Sequence, residues 1–213
     1  MSLIDSITSN VTKRVAICIP ARDQMHTATA FCLFNLAQVL TRLGIDNKLF
    51  ISAGTLIANQ RHELVMAAKE WDASHVMFID SDITFEPQHV TALLDHNEDI
   101  VGAAYSKRVE PFITTAWYSI DVWDTWVRTS DLEEDLVQVD AMALGFCLIK
   151  TSVFDRLDLP WFQLGFYNGQ YTGEDIEFFR NVKGTDIPVW LDVNVTRALG
   201  HLGTSEFKVS DDS

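Results

Sequence analysis

The chain reads as an α/β protein: a mostly parallel sheet with helices on both faces, followed by a mixed C-terminal half. Three observations predict this. Short, nearly unbroken apolar runs such as Val15–Pro20 (VAICIP) and Val76–Ile79 (VMFI) have the pattern of strands buried on both faces. Segments with helical spacing of apolar residues separate these runs throughout the first half, the alternation that builds parallel sheets. Finally, 47% hydrophobic against 22% charged residues over 213 positions is too apolar for a disordered chain and enough to bury the core of one domain.

The elements follow in order. Val15–Pro20 is the first strand, closed by its proline. His26–Leu43 is a helix on the spacing of Phe31, Phe34, Ala37, Val39, Leu40 and Leu43, with Gly44 as its stop. Lys48–Ser52 is a strand, Ile57–Trp71 a helix, and Val76–Ile79 a strand that ends in Asp80-Ser81-Asp82. Pro87 opens a helix through His96, and Ile100–Tyr105 is the next strand. Beyond it, Phe112–Ile120 and Leu136–Met142 are extended, Gly145–Lys150 is a strand, Gly173–Val182 a helix and Val189–Leu191 a last strand. The expected organisation is one domain over residues 1–213. Residues 1–105 form a nucleotide-binding half, 106–204 a half that completes the site, and 205–213 a loose tail.

With 16 Lys and Arg against 30 Asp and Glu, the formal net charge is −14. That argues against binding the backbone of a nucleic acid or the face of an anionic membrane, both of which select basic surfaces. No apolar window is long enough to span a bilayer, and Met1–Arg14 lacks the apolar core of a secretory leader, so a cytoplasmic protein without an integral membrane segment is expected. Cys18, Cys32 and Cys147 each lie in an apolar run and read as buried free thiols of a reducing compartment. His75, His89 and His96, at element ends, read as surface or capping groups.

The chemistry concentrates at Asp80-Ser81-Asp82. Two carboxylates at the carboxyl end of a buried strand stand where open α/β sheets bind ligands. Hard oxygen donors of this kind suit Mg²⁺ or Mn²⁺, which keep coordination sites open for substrate phosphates. The string Asp80-Ser81-Asp82-Ile83-Thr84 also satisfies the D-x-D-x-T pattern of haloacid-dehalogenase-type phosphatases, in which Asp80 would be the nucleophile.

A longer ordered series resembles the small bacterial and phage-type nucleotide-sugar glycosyltransferases of GT-A fold. Its members are Pro20-Ala21-Arg22 after the first strand; Arg61 (followed here by His62 where asparagine is usual); the DxD motif Asp80-Ser81-Asp82; and Ile100–Arg108, similar to "vggaY-x-R". Gly145–Lys150 is similar to "GfmLI", Thr172-Gly173-Glu174-Asp175 to "GED", and Leu199–Gly203 carries the late histidine. The series covers about residues 15–204.

The resemblance implies a metal-dependent transfer of a sugar from a nucleoside-diphosphate sugar, UDP being the commonest nucleotide of the class, to a carbohydrate, lipid-linked or protein acceptor. Pro20, Ala21, Arg22, Arg61, Asp80, Ser81, Lys107 and Arg108 would hold the donor. Asp80, Asp82 and His201 would serve the metal, and an imidazole ligand favours Mn²⁺ over Mg²⁺. Asp175 would be the base for the acceptor hydroxyl and Glu174 an orienting group. Their place at a helix start favours ionised carboxylates, which is also what a plain helix start selects. Trp117, Tyr118, Trp123, Trp126, Trp161, Phe166, Tyr167 and Tyr171 crowd the second half, as core for most of them or as a surface for stacking sugar. A catalytically silent nucleotide-sugar-binding module is the non-enzyme alternative.

Overall fold

Residues 13–108, 113–121, 125–167, 169–203 and 206–207 are described by a computed structural model. Phe112, Trp123 and the acidic pair Asp211-Asp212 lie outside the described residues. The first half runs β1 (Arg14–Ala21), α1 (Thr27–Arg42), β2 (Asp46–Ala53), α2 (Ile57–Glu70), β3 (His75–Ile79), β4 (Ile83–Thr84), α3 (Pro87–His96) and β5 (Ile100–Gly102). The second runs β6 (Ala116–Trp117), β7 (Leu136–Gln138), β8 (Ala141–Met142), β9 (Phe146–Lys150), β10 (Gly165–Tyr167), β11 (Gln170–Thr172), α4 (Glu174–Lys183), β12 (Val189–Asp192), α5 (Val193–Ala198), β13 (Gly200–Leu202) and β14 (Glu206–Phe207).

Seven strands form the central sheet in the order β2-β1-β3-β9-β5-β12-β7. β2, β1, β3, β5 and β12 point one way; β9 and β7 point the other. The sheet is therefore mixed α/β and mostly parallel. The two sequence halves are not two structural layers, because β9 from the second half is inserted between β3 and β5. β9 reaches this central place because FCLIK is apolar on both faces and Gly102 of β5 lets Met142 and the Phe146 carbonyl approach.

Period-two alternation divides the core. Ala16, Cys18, Val76 and Phe78 face α2 and α4, meeting Leu64, Val65, Phe178 and Phe179. Val15, Ile17, Ile19, Met77 and Ile79 face α1, α3 and α5, meeting Leu33, Leu36, Leu40, Val90, Leu93 and Val195. Both faces of the sheet are thus covered by helices, as the apolar runs required.

Several expectations are corrected. The strand at Ile100 stops at Gly102: Ala103 still donates to Phe146 of β9, but Ala104 turns away to the Thr196 hydroxyl. Leu136–Met142 is two strands: β7 pairs with β12, β8 with β6. Trp126 sits in an extended bridge to Trp117. Glu206–Phe207, in the expected tail, pairs with β13. His75 is buried, where desolvation pulls its pKa down to about 4, while His89 completes the capping box of α3 and His96 pairs with Asp192. Cys18 and Cys147 are buried free thiols, but Cys32 is half-buried and accepts from the Phe85 amide.

Candidate functional site

The carboxyl ends of β1, β2 and β3 open into a cleft of about 460 Å³ lined by Pro20, Ala21, Arg22, Gly54, Thr55, Ile57, Gln60, Asp80, Ser81 and Asp82. This is the edge at which parallel sheets bind ligands, since strand ends and helix starts converge there. Pro20 is tolerated within β1 because it lies past Cys18, the last residue paired with β3. Gln60 shapes the floor: its side-chain amide donates to the Ala21 carbonyl (2.5 Å) and the Ser52 carbonyl (2.6 Å), tying the ends of β1 and β2 to α2. The first turn of α2 has neither a side-chain cap nor an acidic residue, and its Ile57 and Gln60 line the cleft, an arrangement suited to anions.

The Asp80–Asp82 turn is clamped through its backbone on every side. Asp80 N–H donates to the Gly145 carbonyl, His26 N–H to Ser81 and Leu202 N–H to Asp82, at 2.8 to 3.0 Å. The two carboxylates then diverge. Asp80 points inward, where Arg61 Nη2 donates to Oδ1 (3.0 Å) and the Tyr105 hydroxyl donates to Oδ2 (3.0 Å). Asp82 points towards His201 and Arg108. Its Oδ2 accepts from Arg108, but its buried Oδ1 has no hydrogen-bond partner among the described residues and lies 3.8 Å from His201 Nε2.

His201 comes to this place through the small sheet β14-β13-β4, in which it pairs with Ile83. Its Nδ1 is 2.7 Å from the Ser106 carbonyl, which accepts only from a protonated nitrogen. Burial lowers the His201 pKa, against the Ser106 hydrogen bond and the Asp82 and Asp80 charges, which raise it; in the neutral form, with the proton on Nδ1, Nε2 turns its lone pair towards Asp82. The Tyr105 ring packs edge-on against His201, at 4.7 Å between centroids, and so braces both Asp80 and His201.

Arg61 is the hub. Its side chain is 2% exposed, with Nε donating to Glu174 Oε1 at 2.9 Å and Nη2 to Asp80. Burial opposes its charge, yet Asp80 and Glu174 raise its pKa on balance, so it stays a cation. Glu174 opens α4, and beside it Asp175 receives the Ile176 amide on Oδ1 (2.8 Å). Burial first and Glu174 second push Asp175 up to about 6. This corrects the expectation drawn from the helix dipole alone: the helix start favours the ionised form, and desolvation beside a second carboxylate outweighs it.

Of the residues expected to hold a donor, Pro20, Ala21, Arg22, Asp80 and Ser81 line the cleft. Arg108 stands exposed at its mouth, on Asp82. Arg61 lies beneath the cleft, engaged by two carboxylates rather than open to a phosphate. Lys107 is turned away, its ammonium 3.9 Å above the Trp126 ring. Among the expected metal groups, Asp82 and His201 face each other, whereas both Asp80 oxygens are already engaged. Among the described residues, no three His, Cys, Asp or Glu side chains converge to hold a metal unaided. The role of Tyr105 was not readable from sequence, and neither were those of Gln60 and Gly145. The one available signal was Gly145 opening an otherwise bulky strand: a Cβ there would overlap Asp80 Oδ2 and the Tyr105 hydroxyl.

Among the described residues, no helix is long and apolar enough to cross a membrane. No protein-family model matches the chain, and neither does any curated protein. Among solved structures, the chain is similar to the crystal structure of A197 from STIV: 19% identity, a TM-score of 0.59, 90% of this chain and 86% of that one covered. At that identity the likeness speaks for a shared α/β fold and for nothing finer.

Proposed function

We propose that the protein is a glycosyltransferase of GT-A-like fold that uses a divalent metal, Mn²⁺ by preference, to bind a nucleoside-diphosphate sugar in the cleft. The observation that carries this reading is the Asp82–His201 pair. A buried carboxylate oxygen without a hydrogen-bond partner among the described residues faces an imidazole nitrogen at 3.8 Å, at the lip of a cleft on the ligand-binding edge of the sheet. An oxygen and a nitrogen donor so placed fit a Mn²⁺ ion that takes its other ligands from water and phosphate. When bound, the metal offsets the charge that builds on the leaving diphosphate.

The chain's own groups divide the remaining work. Pro20, Ala21 and Arg22 line the far wall, where the base and ribose would rest. Ser81 and the first turn of α2 meet the phosphates, with Arg108 at the mouth. Asp80, held by Arg61 and Tyr105, keeps the turn in place. Asp175 takes the acceptor proton, its raised pKa placing it near the working pH. The phosphatase alternative asks Asp80 to attack phosphorus, whereas here each Asp80 oxygen accepts a hydrogen bond from a buried protein group, Arg61 or Tyr105.

Thermal-shift titration with UDP, GDP and CDP, with and without Mn²⁺, tests the reading. One of the nucleotides should stabilise the protein only when metal is present, and Asp82→Ala should abolish the effect. Absence of any nucleotide-dependent shift with every divalent metal tried, or trapping of a beryllofluoride adduct on Asp80, would overturn it.

A further inference from the structure

We propose that the β10–β11 hairpin is the acceptor platform, with Phe166 and Tyr171 stacking against the apolar face of a neutral sugar ring. The proposal rests on the transferase reading for its position and on the construction of the hairpin for its chemistry.

Phe166 and Tyr171 are cross-strand partners on one face of the hairpin, their ring centroids 4.9 Å apart. They are 60% and 79% exposed. The opposite face is locked to α4 by one buried carboxylate. Thr172 Oγ1 donates to Glu177 Oε1 (2.6 Å), Tyr167 OH donates to Glu177 Oε2 (3.0 Å), and the Arg180 guanidinium lies 4.4 Å from the Tyr167 ring centroid. The Glu177 side chain is 3% exposed. Gly165 permits this approach, since a Cβ there would overlap Glu177 and Thr172.

A lone two-stranded hairpin is marginal in water, so this one depends on the lock. The lock ties Thr172 and Tyr167 of the opposite face to α4 and so orders two aromatic rings that bury little against the protein. Hydrophobic burial does not account for them; presentation does. Their location points to the occupant. Thr172 runs directly into Gly173, the N-cap of α4, so Tyr171 stands four residues before the candidate base Asp175. The hairpin therefore adjoins the helix start that carries Glu174 and Asp175. With a net charge of −14, the protein repels phosphate-rich lipid and nucleic acid but not a neutral sugar, whose C–H face pairs with aromatic planes.

The test is titration of the full chain with neutral oligosaccharides (maltotetraose, mannotetraose and N,N′,N″,N‴-tetraacetylchitotetraose) by calorimetry, with saturation-transfer NMR to locate the contact. At least one should bind, with saturation reaching sugar C–H protons. Phe166→Ala and Tyr171→Ala should each weaken binding about tenfold, Tyr171→Trp should retain it, and circular dichroism should show all three folded. The Mn²⁺-dependent UDP shift should survive in each, because neither ring lines the cleft. Failure of all three sugars to bind wild type overturns the platform, as does binding that the Phe166→Ala/Tyr171→Ala double variant leaves unchanged. So does loss, in that variant, of binding to phosphatidylcholine vesicles or of a dimer instead. Sugar binding without any UDP shift would sink the donor reading and leave the platform standing; the reverse result would do the opposite.

Discussion

The strand end at Asp80–Asp82 and the helix start at Glu174–Asp175 each carry two carboxylates, and each holds one while leaving the other available. Asp80 and Glu174 are held by the same guanidinium, that of Arg61. The available groups differ. Asp82 turns a bare oxygen towards a neutral imidazole, a setting that favours a cation. Asp175 sits among protein atoms beside Glu174, a setting that favours a proton. Two like pairs of carboxylates thus meet two different environments, and the neighbour decides which: a lone pair in one case, a desolvated carboxylate in the other.

The largest effect should come from cutting the link between the two regions. Arg61→Met leaves Asp80 and Glu174 without their buried cation and should cost about 3–5 kcal/mol in urea denaturation. Adding Glu174→Gln should recover part of that loss. A cost well below 1 kcal/mol would show that the two regions are not coupled through Arg61. Gly145→Ala comes next, since its methyl group overlaps Asp80 and Tyr105. It should cost about 1–3 kcal/mol and weaken nucleotide binding while leaving the helix start as it was.

Asp175→Asn should act in the other direction. The folded-state pKa of Asp175, about 6, lies above its ordinary 3.8, so the fold favours the protonated form. That stabilisation is complete below about 3.8 and is lost as pH rises through 6. At pH 7.5 asparagine should therefore raise stability, with the difference from wild type vanishing near pH 4. Transfer activity, lost in the variant, should in wild type rise with pH through about 6. Melting curves across pH and a pH–rate profile check both. Asp82→Asn should change stability least, within about 0.5 kcal/mol, because one of its oxygens has no partner to lose. It should nonetheless remove the Mn²⁺-dependent UDP shift, and that separation of binding from stability is what distinguishes Asp82 from Asp80.

The first half of the fold was legible because its signals are local. VAICIP and VMFI can only be strands covered on both faces, and Pro87 opens α3 where the sequence places it. The second half was less so. FCLIK reads as a strand, but nothing in it says that it inserts between β3 and β5, since pairing partners are chosen across the fold. The hairpin β10–β11 escaped notice because it is held by Glu177, a residue that as sequence looks like any helix acid. Lys107 illustrates the opposite error: a cation beside Arg108 in the chain turns its ammonium onto Trp126 instead.

By itself the sequence determined the α/β class, the place of the Asp80–Asp82 turn at a strand end, and the acidic start of α4. These follow from periodicity, proline position and the preference of carboxylates for helix starts, all short-range effects. Only the tertiary structure decided which carboxylates are held and which are available. Asp80 is engaged because Arg61 and Tyr105 arrive from other elements, Asp82 keeps a bare oxygen because His201 arrives with its other nitrogen on Ser106, and Asp175 is pushed up because the fold desolvates it. Desolvation and partner choice are properties of the assembled surroundings, and no spacing along the chain encodes them.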